Sequence, residues 1–266
     1  MRRYLKDFIS LRALIHLLYI PVIILKIKNW LSFLLNYIGL KNYSYMYIFR
    51  NGIRIKTGAG VDSSTIAITF IKKDYGDIND DYTIVDIGAN IGVYSIFAVS
   101  ESKNTTVYAY EPMLSSFNLL MENIRINGLE KYIFPFNIGV CDRKEKRKLY
   151  LGKDSSSHSL YLKGENEQYV EIECLALKDI FDDNNIERCD ILKLNCEGAE
   201  FDIFYNTPDK YFMKIREIRF ECHDRGSNGN YNKEELINFL KKKGFGVRKF
   251  KRYSEHSANL WLSNIR

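Results

Sequence analysis

The sequence predicts an α/β protein: a mostly parallel sheet with helices on both faces, an antiparallel edge pair, and an N-terminal helical and hairpin appendage. Three observations carry that reading. Residues 83–100, TIVDIGANIGVYSIFAVS, run as a short β-branched strand, a turn holding Gly88 and Gly92, and then Val93, Ile96, Phe97 and Val99 at helical spacing. A second apolar strand, residues 106–110, ends at Glu111, nineteen positions after Gly92, where an acid can accept both hydroxyls of a ribose. Near the other end, residues 245–250 and 258–265 read as two strands of a closing antiparallel pair. Two glycines after a strand let backbone approach a ligand closely, but the spacing is GxxxG and not the GxGxxG of dinucleotide folds.

The elements follow in order. Residues 1–40 form a basic apolar arm. Arg2, Arg3, Lys6, Arg12, Lys26 and Lys28 against Asp7 place +5 of the chain's net +6 in its first 28 residues. A nucleic-acid binder would spread such charge over its folded domain. Thirteen uncharged residues lie between Arg12 and Lys26, short of the roughly twenty that span a bilayer. Residues 30–40 add a second apolar piece with Trp30 and Tyr37, residues suited to an interface. Attachment to a membrane surface leads, ahead of a helical cap or oligomer interface and of a true span. No small-residue cleavage site follows, so a secretory signal fits poorly. Residues 41–80 read as a hairpin turning at Asn51-Gly52, a joint at Gly58-Ala59-Gly60 and a helix capped by Asp62 and running to residue 75. That segment suits either a lid or the cover of a sheet edge.

Residues 81–266 make the main domain. After Glu111, Pro112 breaks the strand, Ser115 is placed to cap a helix, and Gly128 to end it. Residues 133–140 give a third strand with Asn137 on the expected base side of a nucleoside. Residues 155–159, small and polar with Ser157, His158 and Ser159, are candidates for touching substrate. Residues 170–176 alternate as a peripheral strand. In the fourth core strand, residues 190–194, Ile191, Lys193 and Asn195 share one side, and a lysine there needs a partner or a cavity. The turn after it offers Glu197 and Glu200, the first the better site residue and the second placed to complement a helix dipole. A fifth strand delivers Glu221 and His223 to the same carboxyl-end rim, where open α/β sheets bind ligands. Asn232 and Glu235 then form a capping box for a helix ending at Gly244.

Five cysteines without CxxC spacing argue for reduced thiols in a cytoplasm, and four histidines without a ligand pair argue against a metal centre.

VDIGANIGVYS (residues 85–95), YEPMLSSFNLLMENIRINGL (110–129) and DILKLNCEGAE (190–200) resemble the motifs of the FkbM family of S-adenosylmethionine-dependent methyltransferases, of the Rossmann-like class. Glu221-Cys222-His223 falls where that family carries an acid and a histidine. The resemblance spans roughly residues 45–265. Two positions depart from it: Asn195 stands where the family usually has aspartate, and Lys178 interrupts a Leu-Asp-Asp segment kept as Leu177 and Asp179. The resemblance implies S-adenosylmethionine as cofactor, with Gly88, Ala89, Asn90 and Gly92 giving close approach, Glu111 on the ribose, Asn137 near the adenine, and Asp86 and Asn195 on the methionyl side. It implies oxygen methylation of a sugar hydroxyl, and the arm then suits a lipid-linked glycan reached by a cytoplasmic protein resting on a membrane surface. His223 is the leading proton acceptor or hydroxyl-orienting group, with Glu197 and Lys193 as alternates. A ribose methyltransferase of nucleic acid and a non-catalytic cofactor-binding scaffold are the competing readings.

Overall fold

The computed structural model describes residues 18–40, 45–58, 62–152, 157–161, 168–225, 231–254 and 257–266. Residues 1–17 of the arm, Ala59 and Gly60 of the joint, and Ser155 and Ser156 lie outside the described residues. The chain divides into two compact units, Met1–Gly76 and Asp77–Arg266.

In the first unit, α1 (Ile20–Lys26) and α2 (Trp30–Tyr37) precede a hairpin of β1 (Met46–Ile48) and β2 (Arg54–Lys56). Asn51-Gly52 turns it, with Gly52 at φ 96°. The arm and the hairpin, expected as separate parts, are one packed body. Lys28 N donates to Ile48 O, Arg50 N donates to Lys26 O, and Ile27 bridges Phe49. Apolar Ile23, Phe33, Tyr47, Phe49 and Ile55 are buried there, which gives the arm's apolar residues a core of their own. The helix expected from Asp62 is α3 (Asp62–Ile66) continued by a π turn, Ala67–Ile71.

The second unit holds a seven-stranded sheet. Its strands are β3 (Thr83–Ile87), β4 (Thr106–Tyr110), β5 (Ile133–Phe136), β9 (Cys189–Leu194), β10 (Ile215–His223), β11 (Phe245–Arg252) and β12 (Ser257–Asn264), in spatial order β11-β12-β10-β9-β3-β4-β5. All pairs are parallel except β10–β12 and β11–β12. The order reverses beside β3, and the glycine turn leaves the sheet at that switch point. The expected third strand is really two. After β5 the chain leaves the main sheet at Asn137, and β6 (Gly139–Cys141) joins β7 (Glu145–Tyr150) and β8 (Tyr169–Ala176) in a three-stranded sheet ordered β6-β8-β7.

Around the main sheet run α4 (Val93–Ser100), α5 (Leu114–Asn127), α6 (Leu177–Asp183), α7 (Glu200–Tyr205), α8 (Asp209–Phe212) and α9 (Lys233–Lys242). Helix α5 starts at Met113 with no side-chain cap, so Ser115 lies inside it; Gly128 ends it at φ 65°. Asn232 Oδ1 caps α9 by accepting from Glu235 N. Val85, Ile87, Leu192, Leu194, Ile218 and Phe220 line one sheet face and pack with Phe181, Phe201, Phe204, Phe212 and Phe245. Alternation along each strand turns Asp86, Lys193 and Arg219, register partners of one another, to the opposite face.

Candidate active site

The rim formed by the carboxyl ends of β4, β3, β9 and β10 gathers most of the expected residues within the second unit. At β3 the turn is tight: Gly88 has φ 71°, Asn90 φ 50° and Gly92 φ 85°. Gly88 N and Ala89 N both donate to Tyr110 O at 3.0 Å, Gly92 N donates to Ala89 O at 2.9 Å, and Asn90 N donates to Glu111 Oε2 at 2.8 Å. These amides are spent on the protein itself, which suits a ligand without the phosphates that a dinucleotide turn must cradle. A Cβ at Gly88 would lie 2.0 Å from the backbone oxygen of Asn195, so only glycine lets the turn pack against the end of β9.

Glu111 is 7% exposed. Its Oε1 accepts from Met113 N at 2.9 Å, and each carboxylate oxygen keeps a lone pair for a hydroxyl. Burial pushes its pKa up to about 7, against the amides of Met113 and Asn90 that favour the ionised form. Asn137 Nδ2 donates to the carbonyls of Glu111 and Pro112, which steadies the loop beyond β4. Asn90 Oδ1 and Asn195 Oδ1 are buried side-chain acceptors with no hydrogen-bond partner. A two-hydroxyl ribose facing Glu111 and polar atoms facing Asn90 and Asn195 fit this set, and so does S-adenosylmethionine.

Asp86 and Lys193 are a different matter. Asp86 is fully buried, 2.8 Å from Lys193 Nζ, and accepts from Ser95 Oγ at 2.7 Å. Lys193 Nζ also donates to Gly88 O at 3.0 Å. Both groups brace the glycine turn from beneath. Asp86, expected on the methionyl side, and Lys193, expected as an alternate proton acceptor, are thus engaged with each other and with the turn. The physical reason is pairing across the β3–β9 ladder, the partner that a lysine in a buried strand requires.

His223, at the end of β10, stands among three carboxylates. Its Nε2 is 3.3 Å from Glu197 Oε1 and 3.4 Å from Glu221 Oε1, and its Nδ1 is 3.5 Å from Glu200 Oε1. Burial disfavours the imidazolium, but Glu200, Glu221 and Glu197 together outweigh it and hold the pKa up to about 11. The surrounding carboxylates thus favour the imidazolium form. Of the two roles expected for it, base or hydroxyl-orienting group, this setting favours the second. Glu200 is fully buried, with Oε1 accepting from Cys196 N at 3.2 Å. The side chains of Glu197 and Glu221 are 18% and 21% exposed.

Glu197 is held in a left-handed conformation, φ 52°, followed by Gly198 at φ 105°. Ser159 supports it: its hydroxyl donates to Glu197 O at 2.7 Å, and the residue is 1% exposed. Expected to touch substrate, Ser159 instead secures the loop that carries Glu197, and His158 Nδ1 accepts from Gly152 N. Ser157 packs beside the position a Cβ would take at Gly152. Arg225 braces Gly198 from the far side. Its guanidinium pairs with Asp202 at 2.7 Å and stacks between Tyr161 and Tyr231, 4.0 and 4.4 Å from their centroids.

Sequence reasoning missed this Arg225 clamp, the role of Glu200 and the residue Asn259. Asn259 is 1% exposed, both its amide atoms lack a partner, and it is the register partner of Glu221. A visible signal existed: asparagine at an inward position of the otherwise apolar run Ala258 to Leu262.

Residues 86–247 match the Methyltransferase FkbM domain. AMB antimetabolite synthetase AmbE of Pseudomonas aeruginosa is 24% identical over 63% of this chain, which spans only 10% of that protein. The 31-O-demethyl-FK506 methyltransferase FkbM of Streptomyces tacrolimicus is 25% identical over 62% of this chain and 72% of its own. Among solved structures, Methyltransferase FkbM from Methylobacillus flagellatus superposes at a TM-score of 0.50 with 12% identity, covering 74% of this chain and 47% of that one.

Proposed function

This chain belongs to the FkbM family of S-adenosylmethionine-dependent methyltransferases, and from that premise we propose that it methylates a hydroxyl oxygen of a sugar in a glycan or glycolipid. The observation that carries the reading is the rim itself. Glu197 on the loop after β9, Glu200 at the start of α7 and Glu221 on β10 surround His223 at the end of β10, and the loop begins at Asn195, against Gly88 of the glycine turn. When bound, S-adenosylmethionine supplies an electrophilic methyl on a sulfonium. Three carboxylates against one imidazolium leave the rim acidic, which favours that cation and a neutral acceptor and disfavours a phosphate backbone. An acceptor hydroxyl held at the rim would take that methyl by in-line displacement, the sulfur leaving as the thioether. The hydroxyl proton passes to Glu197, the partly exposed carboxylate on the loop after β9, and His223 orients the oxygen as its charge develops. Asn259, beside Glu221 and unpaired at both ends of its amide, is a further group able to donate to and accept from a hydroxyl.

Incubation with methyl-labelled cofactor and separated lipid, polysaccharide and RNA fractions tests the proposal. Label recovered as an O-methyl sugar is the expected result. Label in RNA would overturn it in favour of ribose methylation, and cofactor binding without label in any fraction would point to a scaffold.

A further inference from the structure

Charge is divided unevenly between the two units. Residues 1–76 hold twelve Lys and Arg against three Asp, a net of +9, and residues 77–266 hold a net of −3. In the first unit the helices α1 and α2 bury Ile23 and Phe33 but leave other aliphatic side chains outside. Leu18 and Leu25 are 73% and 72% exposed, and Leu31 and Ile38 are 55% and 46% exposed. Leu25 lies on α1 and Leu31 on α2, while Leu18 precedes α1 and Ile38 follows α2. Exposed Lys28, Arg50 and Arg54 belong to the same unit, and Trp30 is half-buried at the start of α2.

Exposed aliphatic side chains on and beside α1 and α2, together with concentrated positive charge, call for a partner that is both apolar and anionic. We propose that the 1–76 unit docks on the surface of an anionic lipid bilayer, its leucines entering the acyl–headgroup boundary and its lysines and arginines facing the headgroups. Among the described residues no helix is long and apolar enough to cross a membrane. Nucleic acid would neutralise the charge but leave the leucines uncovered. A second copy of the unit would cover the leucines but bring +9 against +9. The inference is independent of the acceptor reading.

The test uses the full chain in flotation with vesicles of phosphatidylcholine alone or mixed with phosphatidylserine. Binding is expected only to the mixed vesicles and should weaken as salt rises. Leu25→Ser with Leu31→Ser, and separately Lys28→Glu with Arg54→Glu, should each weaken binding about tenfold. Cofactor affinity, read by calorimetry on the same proteins, should not change; these side chains are exposed, and a change would mark a folding defect and move the test to Leu18 and Arg50. Equal binding by the variants and the parent, or equal binding to neutral vesicles, would overturn the proposal. So would preference for an RNA oligonucleotide over the mixed vesicles, or a dimer that the leucine substitutions dissociate.

Discussion

At Glu111 and His223 burial acts in opposite directions, and each residue yields a test. For Glu111, burial raises the pKa to about 7, so accepting two hydroxyls favours the ionised form and draws a proton off the protein. Cofactor affinity should therefore rise with pH through about 7 and level off above it. Glu111→Gln should remove that dependence and cost roughly 2–4 kcal/mol of binding, read by calorimetry across pH. An unchanged affinity would end the assignment. At His223 three carboxylates outweigh desolvation and raise the pKa to about 11. Single-turnover methylation should then show no ionisation at an ordinary histidine value. Glu197→Gln should slow that step about 10²–10⁴-fold with cofactor affinity unchanged. A profile that falls with acid near the usual imidazole pKa, and vanishes in His223→Gln, would return the proton to the ring. The place of Glu111 beside the glycine turn was legible from one spacing. The protonation of His223 was not, because Glu197, Glu200 and Glu221 meet it only in space.

Elements place these side chains, and two of their junctions can be broken singly. Gly88 is left-handed and pressed against the end of β9. Gly88→Ala would combine a strained φ with a backbone clash, and a loss of about 2–4 kcal/mol in denaturant unfolding is expected. Beneath it, the Asp86–Lys193 pair links β3 to β9. Lys193→Met should destabilise by about 3–5 kcal/mol by leaving a buried carboxylate unpaired, and restoring a cation with Lys193→Arg should recover part of it. Ser159→Ala removes the hydroxyl that holds the Glu197 carbonyl. Turnover should fall while cofactor affinity stays at the parent value, since nothing on the Glu111 side changes. The chain fold of β3, β4, β9 and β10 was readable from apolar runs. The split of the third strand at Asn137 was not, for both halves are β-like and only pairing distinguishes one sheet from two.

For the whole molecule, both raised pKa values make stability fall as pH rises. Glu111 binds its proton more tightly folded than unfolded, so its contribution is full below its ordinary 4.5 and lost as pH passes about 7. His223 contributes fully below its ordinary 6.5 and loses that contribution as pH climbs through about 11. Thermal unfolding without cofactor should therefore flatten over the acidic window in Glu111→Gln and over the alkaline window in His223→Gln, and the two windows should respond separately. A parent profile that neither substitution alters would show that other groups set the pH dependence. Sequence alone determined the α/β class, the glycine turn beside Glu111, the closing antiparallel pair and the family, because each is written in local periodicity or in fixed spacing along the chain. Tertiary structure decided which charged residues reach the rim. Asp86 and Lys193 were drawn beneath the turn and Glu200 into the histidine's shell, since a buried charge goes wherever its partner lies, and the partner comes from another strand.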